Sequence, residues 1–158
     1  MQDRNGKELL CGDIVRISGA YFGVDNALYF VEQDGHNPAN GATVDCITLL
    51  KVGKTGKVSA GKYKVAFWPL INFVNSREKR AEAEAWNREH ATIEKVETVD
   101  NSDVLAYLEA EAKKDRENAE GWRRRGYGPA WYEASEAAAA YFESAIARLK
   151  GPAKILEA

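Results

Sequence analysis

Read from its residues, the chain is expected to be an α+β protein, with a small barrel of short strands in front and helices behind. Three observations carry this. Residues 9–74 are rich in β-branched and aromatic side chains interrupted by turn formers. Apolar side chains then recur at helical spacing, first over 76–90 and again beyond 101. Capping residues mark both changes of character, at Asn75-Ser76 and at Asn101-Ser102.

The strands come first. Asn5-Gly6 predicts a two-residue turn, because both residue types tolerate positive φ. Gly12-Asp13 breaks the chain just before a strand over Ile14 to Ser18. Ala27 to Val31 makes a second strand, and the turn formers of Asp34 to Gly41 make an exposed loop. Thr43 to Val52 is a third strand, followed by a hairpin-like turn at Lys54 to Lys57. Tyr63 to Val74 is a long segment that Pro69 must bend or place at an edge. Five short strands with frequent turns fit a partly open SH3-like barrel.

The helices follow. Asn75 and Glu78 have the spacing of a capping box, which opens a helix over 76–90. Ala81, Ala85 and Trp86 form its thin apolar stripe, so it should lie on a surface, anchored by Trp86. A period-two stretch over 92–98 should return to the sheet as a strand. Val104, Leu105, Leu108 and Ala112 start the next helix, which the run from Glu120 to Pro129 should stop. Pro129 then opens a last helix with Trp131, Ala134, Ala138, Tyr141, Phe142, Ala145 and Leu149 on one face, ending at Gly151-Pro152. These two helices should pair as an antiparallel αα-hairpin. The expected division is residues 1–100 for the barrel with its packed helix and returning strand, and 101–158 for the hairpin.

The chain of 158 residues can bury a sizeable core. No apolar run approaches the ~20 residues of a membrane span, and Met1-Gln2-Asp3-Arg4 is no signal peptide, so a cytoplasmic location is expected, without membrane contact. Cys11 and Cys46 then read as buried thiols. His36 and His90 have no ligand-spaced neighbours, and Gly53 to Lys57 lacks the spacing of a phosphate loop, so no metal, cofactor or catalysis is expected. Net charge is −2, with eight basic and seven acidic side chains in residues 1–74 and 14 and 17 in the remainder. Nucleic-acid binding would therefore depend on local patches.

The pattern Asp3-x-Asn5-Gly6-Lys7-x-x-x-x-Gly12-Asp13-Ile14-Val15 resembles the start of YopX-type phage proteins and other small SH3-like barrels of mobile elements. Lys62 to Leu70, Asn75 to Arg77 and Ala85 to Ile93 resemble a set of proteins from phages and integrated elements of Gram-positive bacteria. The resemblance brings no catalytic residues. It implies an accessory protein of a mobile element working inside a bacterial host.

Two groups are candidate binding residues. Arg123, Arg124 and Arg125, flanked by Trp122 and Tyr127, could fork onto phosphate or carboxylate while the rings stack. The competing account is that the arginines cover the hairpin end and pair with Glu117, Glu120 or Glu133. Lys51, Lys54, Lys57, Lys62 and Lys64 line the barrel hairpin, where they suit nucleic acid, although protection of an exposed strand edge accounts for them without a ligand. The expected function is a non-enzymatic protein that inhibits or modulates a host factor, with an anti-CRISPR or nuclease inhibitor as the concrete form. Direct nucleic-acid binding and an oligomeric sponge for a small nucleotide signal are the alternatives.

Overall fold

Six antiparallel strands form a single sheet in the computed structural model, which describes residues 1–44, 46–66, 70–71 and 77–157 and, of these, the side chains other than those of 60–66, 70–71, 77–78 and 152–157. The strands are β1 (Ile14–Ser18), β2 (Leu28–Gln33), β3 (Cys46–Val52), β4 (Val58–Ala66), β5 (Leu70–Ile71) and β6 (Thr92–Lys95). Three helices accompany them: α1 (Arg77–His90), α2 (Ser102–Arg124) and α3 (Pro129–Glu157). The protein is α+β, as expected.

The strand order is β5-β4-β3-β2-β1-β6. Among the described residues the sheet is not closed: β5 and β6 stand at its two edges. The returning strand is confirmed as β6, which pairs with β1 in the register Ile17↔Ile93. Two register shifts interrupt the ladder, between Val31 and Gln33 and between Leu50 and Val52. The expected Pro69 bend and capping by Asn75 lie outside the described residues.

Alternation along the strands sends side chains to two separate cores. Val15, Ile17, Tyr29, Val31, Ile47, Leu49 and Ile93 share one face with Leu9 and Ala20. Ile14, Leu28, Phe30, Leu50 and Val52 share the other with Val104, Leu108 and Ala112 of α2 and Phe142 and Ala145 of α3. The first five residues of β2 are therefore all buried. The αα-hairpin is the cover that makes this so.

Polar contacts lock the hairpin root onto the sheet. The Tyr107 hydroxyl donates to Glu32 Oε2 at 2.6 Å, and the Tyr141 hydroxyl donates to Asp34 Oδ1 at 2.8 Å. Arg148 donates to the Cys11 carbonyl at 2.5 Å and stands 3.3 Å from Asp13 Oδ1. Burial raises the Asp34 carboxyl, but the Tyr141 hydroxyl, the Cys11 N–H and His36 outweigh it and hold the pKa below its ordinary value. The Cys11 thiol is buried and pushed up to about 12, first by desolvation and then by the neighbouring Asp34 charge. Among the described residues no helix is long and apolar enough to cross a membrane.

Four expectations change. Asn5 does not take positive φ; the turn runs from the Asp3 carbonyl to the Gly6 N–H at 3.0 Å, with Gly6 at φ 78°. Helix α1 buries Ala83 and Asn87 in place of Ala81 and Ala85; Trp86 does anchor it, its Nε1 donating to the Gly19 carbonyl at 3.1 Å, but the ring stays 45% exposed. The buried row is i, i+4, ending at Ala91, and Asn87 Oδ1 satisfies the Tyr21 N–H at 2.8 Å. Helix α2 continues to Arg124 because interior glycine at 121 costs only ~1 kcal/mol against Ala. Helix α3 runs through Gly151-Pro152 to Glu157. Proline removes one ladder bond and presses on the carbonyl four residues back, and the preceding glycine, without Cβ, relieves the clash with the residue before the ring.

Candidate binding surface at the hairpin tip

The last α2 residue in the core shared with the sheet is Ala112. Twelve further residues reach Arg124, which at 1.5 Å per residue carries the helix roughly 18 Å onward. Along this stretch α2 packs on α3, with Ala119 and Ala139 buried. Small side chains at those positions let the two backbones approach.

The turn at the end is built by its hydrogen bonds. Arg125 is the C-cap, the Gly126 N–H donates to the Arg123 carbonyl at 3.0 Å, and the Tyr127 N–H donates to the Trp122 carbonyl at 3.1 Å. These two bonds define a Schellman cap, and Gly126 supplies its left-handed residue at φ 76°. That cap sets Tyr127 beside Trp122, with ring centroids 4.9 Å apart and planes at 76°. Pro129 then starts α3, and its first turn brings Trp131 to 5.2 Å from Trp122 and 5.6 Å from Tyr127.

Three rings thus meet at the tip, with Tyr127 44% and Trp131 54% exposed. Arg125 extends their surface, its guanidinium 5.7 Å from the Trp122 ring centre. The other two arginines face carboxylates. Arg123 is ion-paired with Glu136 and lies 4.6 Å over the Tyr132 ring. Arg124 stands 3.9 Å from Glu120. Residues 116–136 hold four arginines and four glutamates, a local net charge of zero. A rigid aromatic surface rimmed by balanced charge suits a protein partner better than a phosphate backbone, which needs surplus positive charge.

The two candidate groups do not form one surface. Lys54 and Lys57 are exposed in the turn after β3, and that turn abuts Asp100: a Cβ at Gly56, φ 90°, would sit 2.1 Å from the Asp100 carbonyl oxygen. They lie at the root of α2, about 33 Å of helix from Arg124. Lys62 and Lys64 pair with Leu50 and Thr48 in the ladder, and their side chains lie outside the described residues. Trp131 was legible only as part of the α3 face. Its position two residues after Pro129, in the turn facing the end of α2, is the signal that places it at the tip.

The histidines are placed apart. His36 Nδ1 lies 3.2 Å from Asp34 Oδ1, and the His90 ring stacks on Trp86 at 4.0 Å. No protein-family model matches this chain, and neither a curated protein nor a solved structure matches it.

Proposed function

We propose that this chain is a non-enzymatic binding protein of phage or mobile-element origin that docks its hairpin tip on a host protein in the bacterial cytoplasm and inhibits or modulates it. An antagonist of a CRISPR effector or a nuclease is the concrete form. The sheet is read here as a relative of the SH3-like barrels of mobile elements, opened between β5 and β6. One observation carries the reading: Trp122, Tyr127 and Trp131 form an exposed ring cluster at the end of a helical pair, remote from the core that holds the fold. Aromatic residues and arginine dominate the binding energy of protein interfaces, and a preformed cluster loses little entropy on docking.

The test uses Tyr127→Ala and Trp131→Ala. Both side chains are exposed, so the folded state should change little. Each should weaken capture of a specific host protein from bacterial lysate by roughly thirtyfold, the effect of ~2 kcal/mol at a hot spot. Equal recovery of the same proteins by wild type and both variants would remove the reading. Salt-sensitive retention of labelled DNA or RNA by the tip arginines, with no protein captured, would replace it with direct nucleic-acid binding.

A further inference from the structure

A groove of about 670 Å³ opens at the opposite end of the hairpin, between the end of β1 and the start of β2, the turn after β3 and the segment leading into α2. Its apolar lining includes Leu28, Val52 and Val99. The polar side chains around it are Arg16, Ser18, Asn26 and Lys54, and no carboxylate is among its described lining residues. Asn26 is oriented by the Ala20 N–H, which donates to its Oδ1 at 2.8 Å and leaves the amide NH2 to donate elsewhere. Among the described residues, Arg16, Lys54, the Ser18 hydroxyl and the Asn26 NH2 meet no protein acceptor. Glu94 is opposite Arg16 in the ladder, but its Oε1 accepts from Asn5 Nδ2 and no ion pair joins it to Arg16.

This is a set of donors without acceptors around an apolar floor. We propose that the groove binds a small phosphate ester carrying a flat ring, of the nucleoside monophosphate class. The floor takes the ring face. Arg16 and Lys54 take the charge, and Ser18 and Asn26 donate to remaining oxygens. Four donors, Arg16 and Ser18 from one face of β1, Asn26 from the segment before β2 and Lys54 from the turn after β3, suit the three terminal oxygens of a phosphate better than the two of a carboxylate. The close fit of the turn against Asp100 fixes the Lys54 wall, because only a residue without Cβ at position 56 allows that approach. The site is independent of the hairpin tip and of what the tip binds.

Thermal unfolding and calorimetric titration of the full chain with AMP, adenosine, inorganic phosphate and the other nucleoside monophosphates test this. At about a hundredfold above its Kd, the best monophosphate should raise Tm by about 5 °C or more, whereas adenosine or phosphate alone should bind far more weakly. The double variant Arg16→Gln/Lys54→Gln should keep the ligand-free Tm and weaken binding about thirtyfold or more. Three results would overturn the proposal: no shift with any monophosphate at millimolar concentration, equal binding of phosphate alone, or unchanged binding by a double variant of normal Tm. Should that variant fail to fold, Asn26→Asp is read in its place. It sets a carboxylate against the phosphate, and undiminished binding by it would be equally fatal.

Discussion

Asp3 shows how much one side chain near the chain start holds together. Its Oδ1 accepts from the Asn5 and Lys7 N–H groups, each at 2.9 Å, and its Oδ2 accepts from the Lys95 N–H at 2.9 Å. The first two bonds close the opening turn, and the third ties that turn to β6. Desolvation raises the Asp3 carboxyl, but the three backbone donors together outweigh it and leave the pKa below its ordinary value. The unfolded chain therefore takes up the proton first on acidification. The contribution is complete well above the unfolded value of about 3.9 and is lost as pH falls through the lower folded value. Asp3→Asn should cost about 1–3 kcal/mol in urea unfolding at pH 7, because one amide oxygen cannot replace two charged acceptors. Between about pH 7 and about pH 3.5 that difference should shrink. A penalty that stays constant across the range would show that the charge plays no part. The sequence pointed to a turn here through Asn5-Gly6, but a carboxylate reaching 92 residues along the chain leaves no local pattern.

At the scale of elements, the hairpin was legible and its docking was not. Helical spacing of Val104, Leu108 and Ala112 marks a buried face without naming what buries it. The structure names it: Leu108 is fully buried among sheet residues such as Phe30 and Leu50 and the facing Phe142. Leu108→Ala should therefore cost about 2–5 kcal/mol, the loss of transfer energy plus the cavity left behind, measured by chemical denaturation. Substitution at the exposed Glu120 should stay within about 0.5 kcal/mol. A Leu108→Ala cost as small as that would mean that the hairpin does not press on the sheet. Helix ends were harder to place, since Gly121 and Gly151-Pro152 read as breakers while α2 and α3 continue past them. The α1 face was misread for a related reason. Its alanines outline several equivalent rows, and Asn87, a polar residue, belongs to the buried one.

For the whole molecule, the decisive fact is that the sheet is buried on both faces by different parts of the chain. One core closes over Leu9, Val15, Tyr29 and Leu49, and the other exists only while α2 and α3 lie against Ile14, Phe30 and Val52. A boundary near residue 100 follows the change in sequence character, but the second core crosses it. Removing residues 101–158 would bare Ile14, Leu28, Phe30, Leu50 and Val52 at once and leave Glu32 and Asp34 without the Tyr107 and Tyr141 hydroxyls. Such a contiguous apolar face is an aggregation surface. The full chain should therefore unfold in one cooperative step, with the far-ultraviolet signal of the helices and the near-ultraviolet signal of Tyr29 and Phe30 sharing a midpoint. A fragment of residues 1–100 should bind a hydrophobic dye and self-associate, and it should recover native dispersion only when the 101–158 segment is added back. Two separated transitions in the full chain, or a monomeric and well-dispersed 1–100 fragment, would show that the sheet stands without its hairpin. The tip would then be an independent module, and substitutions in the shared core, Leu108→Ala first among them, would leave the stability of the sheet unchanged.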